Sequence, residues 1–170
     1  MDSRHLAEYH VWAGEKTRKI VELLSEVEYE KEIDKILGSI KEKSSHIVNA
    51  LLFCFQQMKI EFEYLAESSR ETIEQTYSLS REELMWCWKM ADDKLAELIL
   101  EERSGTVTYS RNDGESFCLQ VDDFLLQYLF HTIYHRGQLN FCLKALEKPR
   151  IDSDYLFYFA ELDKKLQMTE

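Results

Sequence analysis

The chain contains very few of the residues that form turns, and this shortage limits the folds it can adopt. It has 5 Gly and 1 Pro among 170 residues, whereas average usage of about 7% and 5% would give roughly 20. Folds made of many short strands depend on these residues, because glycine and proline supply the backbone conformations of tight turns. The composition therefore favours a few long helices.

Apolar residues recur at intervals of three and four along most of the chain, which is the spacing of one helical face. The pattern predicts a first helix whose apolar stripe covers residues 6–27 and a second, long helix over residues 33–65 that ends near Ser68 and Ser69. A third helix carries apolar residues from Leu84 to Leu98. Its start is predicted at Ser80, because Ser80 and Glu83 match a capping box.

The fourth predicted helix, residues 124–146, has apolar residues on nearly all sides. This pattern is typical of a helix enclosed by others. We expect Asp122 or Asp123 to cap it. Gly137 stands inside it at a cost of about 1 kcal/mol relative to alanine, so we expect close packing or a nearby ligand there.

Between Gly105 and Val121 the apolar period changes to 2 around Asn112, Asp113 and Gly114, which predicts a small β-hairpin. After Pro149 the tail is too apolar for a free end, so we expect it to pack on the bundle or on another subunit. The predicted architecture is all-α: a four-helix bundle with a small β-hairpin between helices 3 and 4, forming a single domain over residues 1–170.

Charge and hydropathy exclude several classes of partner. The net charge is −11, from 21 Lys and Arg against 32 Asp and Glu with His neutral. A field of this sign repels phosphate backbones and anionic lipid surfaces. The longest apolar run, residues 50–55, is far shorter than the about 18 residues of a membrane-spanning helix. We therefore expect neither a nucleic-acid nor a membrane partner.

No secretory signal is visible at the N-terminus, so we expect a cytoplasmic location. The four cysteines contain no CxxC pair and are interpreted as buried thiols of a reducing compartment.

His131 and His135 lie four residues apart on the fourth predicted helix, which places both imidazoles on one face. This spacing can chelate a metal ion, although two hydrogen-bonded or exposed imidazoles without an ion fit it as well. Cys142 lies on roughly the same face and is either a thiolate ligand or, more simply, a small buried residue. His10 is interpreted as a core imidazole satisfied by a hydrogen bond, the alternative being a place near the metal.

The segment His-x-x-x-His-Arg-Gly-Gln at residues 131–138 resembles the signature of the DinB-like superfamily. These proteins are related to bacillithiol transferases and to the metal-binding domain of mycothiol-dependent maleylpyruvate isomerase. Tyr9-x-x-Trp12-Ala13 is similar to the opening motif of the family, and residues 46–50 resemble its helix 2 segment. The likeness extends over most of the chain.

The resemblance implies a metal site of three histidines, His46, His131 and His135, between helices 2 and 4. Three neutral imidazoles suit Zn, Ni or a related ion and leave at least one position open. The implied activity is that of a metal-dependent thiol S-transferase in which the ion activates the thiolate of a small thiol. The resemblance also implies a homodimer.

Two other functions also fit a three-histidine site. One is a metal-dependent hydrolase, because a metal ion with a free coordination position also lowers the pKa of a bound water molecule. The other is a non-enzymatic, metal-binding stress-response bundle.

Helical spacing suggests which residues support the histidines. Each of these four could orient an imidazole or a further ligand, or could simply be solvated: Gln138, Gln127, Glu42 and Asn49. Arg136 is adjacent to His135 but about 100° round the helix, so we expect it to pair with an acidic neighbour.

Overall fold

Helices dominate the residues that the computed structural model describes, which are 2–60, 62, 75–101, 103–110 and 114–167. The helices are α1 (Ser3–Glu22), α2 (Glu26–Glu30), α3 (Ile40–Gln57), α4 (Arg81–Leu100), α5 (Val121–Ala145) and α6 (Tyr155–Gln167). A short 3-10 helix covers Gln75–Ser78. The long helices α1, α3, α4 and α5 form a bundle in which α1 packs on α4, and α3 packs on both α4 and α5. The predicted all-α helical bundle is confirmed.

The first predicted helix is wrong in its second part. The helix α1 ends at Glu22, and Ser25 begins the separate helix α2 with its own capping box to Glu28. Leu23 and Val27, which the pattern placed on the buried stripe, are 84% and 79% exposed. The cap at Ser25 redirects the chain, so the apolar spacing does not continue on one face.

The second predicted helix is too long at its start and passes beyond the end of α3. The helix α3 begins only at Ile40, because Gly38 takes a positive φ of 66° and Ser39 forms a capping box with Glu42. It ends at Gln57, and Lys59 follows with a φ of 56°. Ile33 and Leu37 pack against the core from an irregular segment. Leu65, Ser68 and Ser69 lie outside the described residues.

The helix α4 begins as predicted, since Ser80 accepts a hydrogen bond from the Glu83 backbone and Glu83 reaches back to the Ser80 backbone. The helix α5 begins at Val121 after Gln120, which forms no side-chain cap. Asp122 and Asp123 are therefore not caps. Both lie in the first turn of α5, where a negative charge is favourable near the positive end of the helix dipole.

The prediction that other helices enclose α5 on nearly all sides is wrong for the described residues of a single chain. Its Phe130, Tyr134 and Phe141 side chains are 55%, 63% and 64% exposed. A Cβ atom added at Gly137 would have no neighbour within 4 Å, so packing inside the chain does not require this glycine. One face of α5 is thus apolar and uncovered by the described residues.

The β-hairpin between α4 and α5 is confirmed. Its strands are β1 (Thr106–Ser110) and β2 (Ser116–Gln120), which pair antiparallel with Val107 opposite Leu119. Val107 is buried and fixes the hairpin on the core. Asn112 and Asp113 lie outside the described residues. Cys118 on β2 is exposed, so the interpretation of all four cysteines as buried is wrong for this one.

The apolar tail packs on the bundle as the helix α6, which contacts α1. The apolar part of this contact is mainly aromatic and includes Tyr9, Trp12, Tyr155, Tyr158 and Phe159. The Trp12 Nε1–H donates to Glu161 Oε2 at 2.9 Å, and the Tyr158 hydroxyl donates to Glu8 Oε2 at 2.7 Å. None of the described helices has the length and apolar character of a membrane-spanning segment.

A buried charged cluster joins α1 to α4. The Asp92 carboxylate of α4 is fully buried, pairs with the Arg18 guanidinium and lies 3.0 Å from Nε2 of His10. Burial by itself would raise the pKa of Asp92, but the surrounding imidazole and guanidinium groups hold it below its usual range. Gly14 makes this approach possible, because a Cβ there would stand 2.0 Å from Asp92 Oδ2.

We predict opposite effects of alanine at the two glycines inside long helices. Gly14→Ala should lower the free energy of unfolding by about 2 kcal/mol, because its methyl group must displace a carboxylate that is already paired. Gly137→Ala should raise it by up to about 1 kcal/mol, since it meets open space and favours the helix. Urea unfolding at low protein concentration measures the free energy of unfolding of both variants. Equal changes in the two variants would contradict this prediction.

Candidate metal centre

Three imidazoles meet where α3 packs on α5. His46 comes from α3, and His131 and His135 come from successive turns of α5. One ligand atom of each of the three lies within 4.8 Å of the others. The ring centroids are separated by 5.4 Å for His46 and His131, 4.3 Å for His46 and His135, and 4.4 Å for His131 and His135. The structure therefore brings together all three histidines that the family resemblance implied.

The hydrogen bonds of these rings leave nitrogen atoms available. Nδ1 of His135 lies 2.8 Å from Oε1 of Gln138. Because an amide oxygen only accepts, Nδ1 carries the proton and Nε2 keeps its lone pair. Nε2 of His131 is buried and has no hydrogen-bond partner. Buried polar nitrogens are normally satisfied, so this orphaned atom fits a site that receives a cation.

Burial keeps the three imidazoles neutral. It is the main cause of the lowered pKa of His46, His131 and His135, and for His135 the pKa falls to about 4. Positive charge on one ring further disfavours positive charge on its neighbours. At neutral pH all three rings therefore offer lone pairs, which is the protonation state that a metal ligand needs.

Of the four supporting residues that helical spacing suggested, only Gln138 bonds to a histidine. Glu42 instead accepts from the Ser39 backbone N–H at 2.8 Å. Asn49 accepts from the Thr76 hydroxyl. Gln127 is exposed, and no hydrogen bond joins it to His131. Spacing alone identified residues on the correct helices but not which side chains turn towards the rings.

The other candidate ligands lie elsewhere. His10 is buried beside Asp92, as its interpretation as a core residue predicts. Arg136 points into the interior, where its guanidinium stands 6.0 Å from the Tyr9 ring centroid and Asp92 is the acidic group near it. Cys142 is a buried free thiol outside the histidine group, and burial raises its pKa.

Two residues near the centre were not identified from the sequence. Tyr128 lies with its ring centroid 6.4 Å from that of His131, and Lys43 lies close enough to lower the pKa of His46 and His135. Each stands three residues before a histidine, so the spacing was a usable signal. Tyr134 also stands beside the centre, with its ring centroid 5.0 Å from that of His135.

We predict that the metal-free protein loses stability as the pH falls from about 6.5 towards about 4. In this window the unfolded chain binds more protons than the folded one, because the folded histidines resist protonation, and acidification therefore favours unfolding. Urea titrations across this range measure the slope of the free energy of unfolding against pH.

Two glutamine variants isolate this contribution. His135→Gln removes the largest of the three shifts, so its stability should fall less steeply over the same window. His5→Gln changes a histidine at the start of α1 that lies outside the histidine group, and it should retain the steep fall that the buried histidines cause. Superimposable slopes for all three proteins would contradict the prediction.

Comparisons with known proteins identify the family. The DinB family model matches residues 1–164. The crystal structure of a protein from Exiguobacterium sibiricum 255-15, described as a member of the DinB family, matches with a TM-score of 0.64 at 18% identity. The match covers 91% of this chain and 99% of that one, and at this identity it supports the fold alone. No curated protein matches the chain. Because the family model covers nearly the whole sequence, the chain belongs to the DinB family.

Proposed function

We propose that this chain binds one divalent transition-metal ion through His46, His131 and His135 and acts as a metal-dependent thiol S-transferase. The observation that carries the proposal is the convergence of three neutral imidazoles from two helices, with one buried ring nitrogen left unpaired. The relation of the DinB family to thiol transferases supports the reaction class.

The donor set indicates the kind of ion. Three imidazole nitrogens suit Zn or Ni, and the group contains no carboxylate or thiolate. Three protein ligands leave a position for a further ligand, which is typical of catalytic sites. When bound, such an ion lowers the pKa of a thiol and stabilises the thiolate as a nucleophile.

The chain's own residues position this group. Gln138 accepts from His135 Nδ1 and so orients the opposite nitrogen of the ring, a type of support whose loss typically costs 10–100-fold in metal affinity. Tyr128 and Tyr134 stand beside the rings and limit the space around them. A hydrolase would need a general base for water, and among the described residues no carboxylate joins the histidine group. The transferase is therefore favoured.

The proposal predicts metal uptake followed by thiol binding. The wild-type protein should bind about one equivalent of Co²⁺, and adding 2-mercaptoethanol should produce sulfur-to-cobalt charge-transfer bands in the near ultraviolet. His46→Ala and His135→Ala should lose the ion, because two imidazoles hold it far less tightly. Metal content and absorption spectra of the purified proteins measure both effects.

The matched control is His5→Ala, which changes a histidine outside the group and should bind cobalt as the wild type does. If thiols leave the cobalt spectrum unchanged while metal removal strongly lowers the melting temperature, the transferase proposal fails. The non-enzymatic, metal-stabilised bundle would then be the better account.

We also propose that a second copy of the chain covers the exposed face of α5. Phe130, Tyr134 and Phe141 are spaced at four and seven residues and so form one apolar stripe. The tail covers the aromatic face of α1, whereas none of the described residues covers the α5 stripe.

Light scattering at micromolar concentration should therefore give twice the mass of one chain. The double variant Phe130→Ser and Phe141→Ser should be monomeric with its metal content unchanged. Leu156→Ser, at an exposed position of α6, should remain dimeric. A monomeric wild type would contradict the proposal.

A further inference from the structure

The exposed face of α5 carries no charge along most of its length. Between residues 124 and 143 the only Lys, Arg, Asp or Glu is Arg136, and its side chain is buried. The whole chain has a net charge of −11, so two copies repel each other unless they meet over a neutral surface. The uncharged part of this face is therefore suited to a second copy of the chain.

The two ends of this uncharged part carry opposite charges. Asp123 lies in the first turn of α5 and Lys144 in its last turn, and both side chains are exposed. They stand seven residues before and fourteen residues after Phe130, so they lie on roughly the same side of the helix as its ring. Neither side chain forms an ion pair with any of the described residues. Both charges are thus free to contact another molecule.

An antiparallel pair of α5 helices brings these opposite charges together. In a two-fold dimer, a residue of one copy that contacts a second residue of the partner is matched by the reverse contact. When Asp123 lies opposite Lys144 of the partner subunit, the two-fold axis passes between Ile133 and Tyr134, midway along the uncharged part. The same register then fixes the partner of every other residue on this face.

This register places a large side chain against the glycine of α5, because Gly137 faces the partner's Phe130. A Cβ at Gly137 would meet nothing within 4 Å in its own chain, so the helix contains a weakening residue that internal packing does not require. Phe130 is 55% exposed. The missing side chain leaves a notch in which the partner's Phe130 packs, as a knob packs into a hole between antiparallel helices.

The register also gives the exposed Phe141 a contact, because it faces the partner's Leu126. Leu126 and Phe130 line a cleft of about 770 Å³. Leu6 of α1 and Leu100 of α4 line the same cleft. Entry of the partner's Phe141 into this cleft covers apolar surface that a single chain leaves exposed.

We infer that two copies of the chain pack α5 against α5 in this antiparallel register, with Asp123 of each copy paired to Lys144 of the partner subunit. This inference rests on the proposed dimer and names its contacts. Each charged residue lies about 16 Å along the helix from the two-fold axis. A crossing angle of about 20° keeps the helices close enough over this length for the side chains to meet.

Exchange of the two end charges tests the register. Asp123→Lys alone and Lys144→Asp alone should each weaken the dimer about tenfold, because two attractive pairs become repulsive. The double variant Asp123→Lys and Lys144→Asp restores opposite charges, so its dissociation constant should return close to the wild-type value. Sedimentation equilibrium at several protein concentrations measures these constants.

The double variant also separates the contact from a change in the stability of α5. Each substitution places an unfavourable charge at one end of the helix dipole. If the substitutions acted only through the helix, their effects would add and the double variant would form the weakest dimer. In the inferred register, the double variant recovers instead.

Gly137→Leu tests the notch through two readouts of opposite sign. Its side chain meets open space within one chain, so the free energy of unfolding at low protein concentration should rise. It also occupies the place of the partner's Phe130, so the dimer should weaken about tenfold or more. Ala160→Leu is the matched control, because it adds a leucine at an exposed position of α6 and should leave the dissociation constant unchanged.

The outcomes separate this register from the dimer itself. A dimeric wild type whose double charge variant binds no more tightly than the single variants would overturn the register and leave the proposed dimer intact. Dimerisation of Gly137→Leu with the wild-type dissociation constant would overturn it as well. A monomeric wild type would overturn both the dimer and the register.

Discussion

The packing of α3 against α5 is the contact on which the candidate centre depends. One helix supplies His46 and the other supplies His131 and His135, so the three rings meet only if the two helices keep their register. Buried apolar side chains on both helices, including Leu51 and Phe55 of α3 and Phe124 of α5, belong to one core cluster. Removing such a side chain typically costs about 2–5 kcal/mol, so the core resists any sliding that would separate the rings.

The molecule has two buried polar clusters, one around Asp92 and one formed by the three histidines, and it stabilises them in different ways. Around Asp92 the buried charges compensate one another, because a carboxylate stands among basic groups of α1 and α5. At the histidine centre there is no such compensation, and burial keeps the rings neutral instead. Breaking a buried ion pair is strongly destabilising, which suits a structural contact. Neutral rings with available lone pairs suit the binding of a cation.

Sequence patterns predicted what short-range chemistry determines. The capping box of Ser80 and Glu83 and the β-hairpin are local, and the structure contains both. The pairing of His131 and His135 follows from helical spacing, whereas His46 entered only through the family resemblance, because no local pattern shows which helices touch. Helix ends near Val27 and the exposed face of α5 were mispredicted, since apolar spacing does not reveal caps or which apolar face remains uncovered.

X-ray absorption at the zinc edge of the zinc-loaded protein shows which atoms surround the ion. We expect three imidazole ligands, from His46, His131 and His135, with Zn–N distances of about 2.0–2.1 Å and one further light-atom ligand. Replacement of that light atom by sulfur at about 2.3 Å when a thiol is added would agree with it. A spectrum showing fewer than three imidazoles, or a sulfur ligand before any thiol is added, would contradict it.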